Sequence, residues 1–324
     1  MLRFLLELLP ALLLGFWCGR RYPTLSGRLA MPLVRFGVPI SVMGLLLRGG
    51  LGGEMVVAAV LAVLAITVVL LLTQRLPVSV GLGRPSLRLG SCIGNTAYVG
   101  IPLALAFLPR EALPISIGYD LGATLLTWSL GPMFIGAVPM GRSPLWSHWL
   151  LNLSSSPATR GLLGALLVQW TPWHSVVAEA LWWPSRTVIV LALVVVGMRL
   201  GGLSRDAVSL SPMRLGLVPA LVVKLCLYPG LLLLLGFVLR LNPLMIQAIT
   251  LQGAAPTAIS LLLIAESIGV DQERAAGLVF WSTVLSLITA SLWGTALSLL
   301  MPSGGLMDRF MFIQRVSQAH ASLW

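Results

Sequence analysis

Two polar, glycine- and proline-bearing breaks interrupt otherwise apolar runs of this sequence. They are Gly94-Asn95-Thr96-Ala97-Tyr98-Val99-Gly100-Ile101-Pro102 and Gln252-Gly253-Ala254-Ala255-Pro256-Thr257. Proline removes a backbone donor and resists helix continuation, while glycine permits otherwise strained backbone. In hydrocarbon, freed backbone groups are tolerated only where protein or a water-filled cavity satisfies them. Matched broken helices in two halves of a membrane chain are the best sequence-level pointer to a transport site. The membrane premise follows from composition: 57% of the residues are apolar and 10% charged, where soluble domains carry about 25% charged residues.

A helical span needs about 20 mainly apolar residues. The pattern predicts spans over 4–20, 29–48, 55–73, 87–108, 112–139, 159–176, 182–200, 213–239, 243–267 and 273–301. The first run, Leu5 to Cys18, contains Glu7 and Pro10 and lacks a clear small-residue cleavage site, so it reads as a retained helix. Trp170, Pro172, Trp173 and His174 crowd the end of the sixth, where the tryptophans fit interfacial anchors. The chain therefore divides into a first five-helix repeat (1–140), a linker (141–158), a second five-helix repeat (159–301) and a polar tail (302–324). An odd number of spans per repeat requires the second copy to be inverted. Arg48-Gly49-Gly50-Leu51 after span two echoes Arg199-Leu200-Gly201-Gly202-Leu203 after span seven, and each broken span is the fourth of its half.

The formal net charge of +11 would suggest nucleic acid for a soluble protein. Here the arginines sit at helix ends and form no basic stripe with interleaved aromatics, so no nucleic-acid partner is expected. Arg20, Arg21, Arg28, Arg75, Arg84, Arg88, Arg142, Arg160, Arg199, Arg205, Arg214 and Arg274 follow odd-numbered spans; Arg3, Arg48, Arg110, Arg186, Arg240, Arg309 and Arg315 lie on the other side. The richer side faces the cytoplasm, which puts the linker inside and both termini outside. Cys18, Cys92 and Cys226 are far apart in apolar runs and read as small core residues, with neither disulfide nor metal spacing.

A broken helix exposes N–H groups at one half-helix end and carbonyls at the other. Around the first break, Gly94, Asn95, Thr96, Tyr98 and Pro102 form the candidate ligand-binding set. Around the second, Gln252 and Thr257 supply polar groups, Gly253 and Ala254 permit close approach, and Pro256 is placed to open the following half-helix. Lys224, the sole lysine, lies inside span eight, and Asp120 lies in span five. An intramembrane charge is costly and by default functional; Lys224 suits a counter-ion to an anionic substrate or a partner for Asp120, and Asp120 suits a proton carrier. Glu266 reads as a capping or interfacial residue, and Arg35 as one that snorkels.

No G-x-x-x-x-G-K-[ST], H-E-x-x-H or G-x-S-x-G pattern is present, and His148, His174 and His320 are isolated. The sequence thus predicts no catalytic constellation, no metal site and no cofactor.

The segment Gly94–Pro102 resembles the G-N-T-x-x-x-G-[IL]-P signature of the auxin efflux carrier family, which includes plant PIN-type exporters and bacterial malate- and malonate-type permeases. Ala254-Ala255-Pro256, Ala265-Glu266, Gly269-Val270-Asp271 and Trp281-Ser282-Thr283-Val284-Leu285-Ser286 are similar to its C-terminal half. The resemblance implies a ten-helix inverted-repeat fold, elevator-like movement, and a carboxylate substrate near crossed helices four and nine. It maps the family's crossover prolines to Pro102 and Pro256 and its first crossover asparagine to Asn95. Ala97 stands where the signature often has glycine, and no asparagine accompanies Pro256, which points away from auxin itself.

The combined expectation is an all-α integral membrane protein with ten transmembrane helices in two inverted five-helix repeats and broken, crossing helices four and nine. It would be a secondary transporter in a bacterial inner membrane, moving a small organic anion by alternating access, with membrane lipids and a second copy of the chain as its other partners. A sodium- or proton-coupled symporter of the bile-acid type is the alternative. So is a non-transporting sensor or scaffold, although a scaffold has no need of paired broken helices.

Overall fold

The computed structural model describes residues 2–22, 24–50, 52–75, 81–136, 157–204 and 211–301. The expected tail and most of the linker lie outside them. The described residues are helical apart from turns and short extended stretches, and among them the one β-type contact is an isolated antiparallel bridge between Gly94 and Thr257.

In chain order the helices are α1 (Leu2–Arg21), α2 (Leu25–Arg48), α3 (Gly53–Arg75), α4 (Pro85–Gly90), α5 (Thr96–Phe107) and α6 (Leu113–Ile135). Then come α7 (Pro157–Gln169), α8 (His174–Gly202), α9 (Val218–Val238), α10 (Pro243–Gly253), α11 (Ile259–Ile268) and α12 (Gln272–Leu300). Each expected span falls on a helix or a broken pair. Five of the helices, α2, α3, α8, α9 and α12, are long and apolar enough to cross a membrane. Leucines and valines turned outward on α3, such as Val60 and Leu72, are exposed while Ala58, Ala62 and Ala65 are buried. That is the expected pattern for a helix with lipid on one side and close helix packing on the other.

Small residues decide which helices meet. Gly15 and Gly19 of α1 face Gly197 and Gly201 of α8 reciprocally: a Cβ on Gly15 would lie 2.0 Å from the Val194 carbonyl oxygen, and one on Gly201 2.0 Å from the Phe16 carbonyl oxygen. On α6, Gly118 and Gly122 admit the α3 backbone in the same way, with Cβ positions 2.1 and 2.2 Å from the carbonyl oxygens of Met55 and Ala59. Small residues four apart let helix backbones touch where no hydrophobic driving force exists between helices.

These seams sort the helices into two packed groups. One contains α1, α2, α7 and α8; the other contains α3 to α6 and α9 to α12. In the second group α4–α5 and α10–α11 cross at their breaks. The break in span nine lies where expected, whereas that in span four lies earlier, and both prolines take other places than expected. Span four unwinds at Ser91–Asn95, and Pro102 lies inside α5, directly after a π turn over Thr96–Gly100. A residue without an N–H is accommodated where a wide turn has already disturbed the i to i−4 ladder, so the helix continues through it. In span nine, Ala254 and Ala255 form a turn and α11 begins at Ile259. Pro256 therefore does not open the half-helix. It lies in the extended stretch, where its carbonyl accepts the Asn95 N–H at 2.7 Å.

Cys92 is buried as expected, but Cys226 is exposed, because its helix face turns outward from the bundle. Trp170 and Trp173 are exposed at the end of α7.

Candidate functional site

Three hydrogen bonds join the two broken spans at the crossing, and a fourth anchors it to α12. Asn95 N–H donates to the Pro256 carbonyl (2.7 Å), Ala258 N–H to the Ile93 carbonyl (3.3 Å), and Thr257 Oγ1 to the Gly90 carbonyl (2.9 Å), while Thr257 N–H donates to Ser282 Oγ (3.0 Å). Two short extended strands thus satisfy each other where the helices cannot, which answers the backbone requirement of a broken membrane helix.

The four half-helix ends at the crossing are treated differently. Both carbonyl ends are capped by protein donors: Thr257 caps α4, and the Lys224 ammonium donates to the Gly253 carbonyl at the end of α10 at 2.8 Å. Lys224 is fully buried, stands 4.7 Å from the centre of the Tyr228 ring, and belongs to a π turn of α9, Val223–Leu227. A cation at a helix C-terminus is favourable, which explains how the bundle tolerates it. Its Nζ is 3.3 Å from where a Cβ on Gly94 would be, so the charge sits directly behind the first break.

The two amide ends face a cavity of about 130 Å3 between the helix groups. At α5 the amide end is already occupied. The buried Asp120 carboxylate accepts from Thr96 Oγ1 at 2.5 Å, and also from Thr124 and the Ala97 N–H. At α11 no side chain caps the first turn, and the Ile259 and Ser260 N–H groups find no acceptor among the described residues. Beside them, Asn95 Nδ2 is buried without a hydrogen-bond partner.

The cavity walls come from both groups. Gly94, Asn95, Thr96, Tyr98 and Asp120, all expected in the site, line it together with Trp128 and the start of α11, Ala258–Ser260. The facing wall is α2 and α8, including Val195, Val196 and Arg199. Other expected residues do not line it. Pro102 is within α5; Gly253, Ala254, Pro256 and Thr257 build the crossing itself; Gln252 is fully buried behind it, against Gly100. Lys224 and Asp120 do not pair with each other, since one is committed to Gly253 and the other to Thr96.

Ser260 and Arg199 were not among the sequence candidates. Arg199 was legible only as one of many helix-end arginines. In the structure it lies in the last turn of α8 with its side chain 19% exposed, and it reaches Glu266 Oε1 of α11 at 3.5 Å. The signal for Ser260 was its place just after the second break, at the first turn of a half-helix.

The family model for membrane transport protein matches residues 145–294. The chain is similar to an uncharacterized transporter of Methanothermobacter thermautotrophicus, with 24% identity over 226 residues, 65% of this chain and 67% of that protein. It is also similar to an uncharacterized transporter of Methanocaldococcus jannaschii, with 25% identity over 216 residues, 63% of this chain and 65% of the relative. The aligned stretches thus span about two-thirds of the length of each relative. These matches bear out the family resemblance read from the sequence, and the family match includes the second crossing segment.

Proposed function

Taking as premise that the chain is an integral membrane transporter of the family matched by its second half, we propose that it is a secondary transporter of a small organic anion. The observation that carries this reading is the asymmetry of the crossing. Its carbonyl ends are closed by Thr257 and Lys224, so a cation finds few free acceptors there. The amide end of α11 and the Asn95 amide are free and face the cavity, so they present donors to an anion. A carboxylate placed there accepts from Ile259 N–H, Ser260 N–H and Asn95 Nδ2, with the Lys224 charge behind it. Neutral donors hold a carboxylate by geometry while leaving it able to depart.

The division into two helix groups supports alternating access. The proposed binding groups ride on the group containing both broken spans, and the opposite wall belongs to α1, α2, α7 and α8. Relative movement of the groups would carry the site from one face to the other. Spans one and two pair with spans six and seven in the latter group, which supports the inverted five-helix repeats. The arginine distribution supports a cytoplasmic linker with both termini outside.

The test is uptake of labelled mono- and dicarboxylates into proteoliposomes, preceded by a thermal-shift screen of the same compounds with and without sodium. Carboxylates are expected to stabilise the protein and enter the vesicles, and their neutral amides to do neither. Equal response to amides, or none to any carboxylate, overturns the reading. Asp120, an acid in the cavity wall, supports a second reading in which a proton or sodium ion accompanies the anion; uptake driven by an imposed gradient of either ion separates the two. Topology is tested in a cysteine-free background, since Cys226 is exposed. Labelling of Ser143→Cys from outside intact cells, with Ser303→Cys protected, would reverse the orientation.

A further inference from the structure

Arg199 and Glu266 join the two helix groups, and the join is made where the cavity ends. Arg199 belongs to α8 and lines the cavity; Glu266 lies in the last turn of α11, the helix whose first turn offers the free amides. A second ion pair, between Arg274 and Asp271 at 3.1 Å, is local to α12 and its start. The Arg199–Glu266 contact, by contrast, crosses between the groups.

Its geometry is that of an incompletely used guanidinium. The single contact, Nη1 to Oε1, is 3.5 Å long, where charge-assisted pairs usually close to about 2.7–2.9 Å and arginine often binds a carboxylate through two donors. Arg199 Nε is buried and has no hydrogen-bond partner. Glu266 is the freer member, with its side chain 45% exposed against 19% for Arg199. A carboxylate arriving in the cavity meets a guanidinium with an unused buried donor, held by a partner that can swing into water.

Resting on the anion reading above, we propose that Arg199 is a second anchor for the transported carboxylate, on the wall opposite the crossing. Glu266 is its resident counter-ion, exchanged for the substrate on binding. Without substrate, the Arg199–Glu266 pair ties α8 to α11 and so ties one helix group to the other. A bound carboxylate takes Arg199, releases Glu266, and thereby loosens the tie in the state that carries cargo. The same exchange gives selectivity: a neutral molecule cannot displace a carboxylate from a guanidinium.

The experiment is binding by isothermal titration to the purified full chain, with succinate and benzoate as probes, comparing wild type, Arg199→Gln, Arg199→Lys, Glu266→Gln and the Arg199→Gln/Glu266→Gln double variant. Removing the anchor is expected to weaken binding by about tenfold or more, the scale of a lost hydrogen bond to a charged group. Removing the competitor strengthens binding, by about threefold or more for a half-exposed partner. Arg199→Lys keeps the charge and loses less than Arg199→Gln, and the double variant behaves as Arg199→Gln. A purely structural brace predicts instead that Arg199→Gln and Glu266→Gln shift affinity in the same direction or not at all, and either result overturns the exchange. Should Arg199→Gln not fold, unchanged or weakened binding by Glu266→Gln has the same force. Wild-type protein that binds neither probe overturns the anion reading and the inference with it; wild type that binds while Arg199→Gln binds equally well overturns the inference alone.

Discussion

At the first break Asn95 brings to the cavity an amide that no protein acceptor uses, whereas at the second Thr257 commits its hydroxyl to the Gly90 carbonyl and its N–H to Ser282. The two breaks look alike in sequence, each with glycine, proline and a threonine. In the structure one presents polar side chains to the cavity and the other fastens the crossing, leaving the backbone at the start of α11 as its contribution to the site. The difference follows from unequal demands. A crossing inside a membrane must satisfy its own freed backbone groups before it can offer any to a ligand, and a single side chain does not serve both ends.

Substitutions that separate binding from folding put this comparison at risk. The largest effect is expected from Lys224→Met. It removes the charge behind the first break and leaves the Gly253 carbonyl uncapped, while relieving the ~2.5–3.5 kcal/mol that an intramembrane charge costs on insertion scales. Carboxylate uptake should fall by more than about tenfold, or ~1.4 kcal/mol, in protein that still purifies as a folded species. Normal uptake per folded molecule would leave the lysine a cap and nothing more.

Next comes a paired test of the breaks themselves. Asn95→Ala removes a side-chain amide with no protein partner, so thermal stability should hold while carboxylate affinity drops by about 1–3 kcal/mol. Thr257→Val should do the reverse, with stability lowered by about 1–3 kcal/mol because the Gly90 carbonyl is left buried and unpaired, and affinity unchanged in the folded fraction. Calorimetric unfolding and titration on both variants decide the matter; equal losses of stability and affinity at the two positions would erase the distinction.

Gly100→Ala probes the packing behind the crossing. Its Cβ would lie 2.2 Å from Gln252 Oε1, an overpacking worth about 1–3 kcal/mol. Adding Gln252→Ala should recover much of that loss. A stable single variant would show that Gln252 moves aside freely.

The smallest effects belong to the prolines. Pro102 continues α5 away from the cavity, and the Pro256 carbonyl that receives Asn95 N–H survives replacement. Pro102→Ala and Pro256→Ala should each lower stability by about 0.4–1 kcal/mol through the unfolded chain alone, with affinity unaltered. A tenfold loss of binding in either would return that proline to the site.

What the sequence by itself determined is the helical membrane class, the breaks and the residues near them. Apolar run length and the cost of unsatisfied backbone in lipid are local properties, so 87–108 and 243–267 could be read as interrupted spans without knowing their neighbours. Asn95, Thr96, Tyr98 and Asp120 were legible because polar groups in apolar runs stand out. Only the tertiary structure decided the rest. Gly15-xxx-Gly19 and Gly197-xxx-Gly201 are ordinary spacings until they meet across an interface with carbonyl oxygens about 2 Å from the absent Cβ positions. The π turns that carry Thr96 and Lys224 have no sequence mark, since one extra residue in a turn is set by packing. Arg199 reads as a topology arginine because its distinction lies in facing a cavity built by α2, α5, α6 and α11. Which half-helix ends are capped and which stay open depends on partners far away in sequence, Gly90 with Thr257 and Gly253 with Lys224. Those pairings decide which polar groups at the crossing stay free.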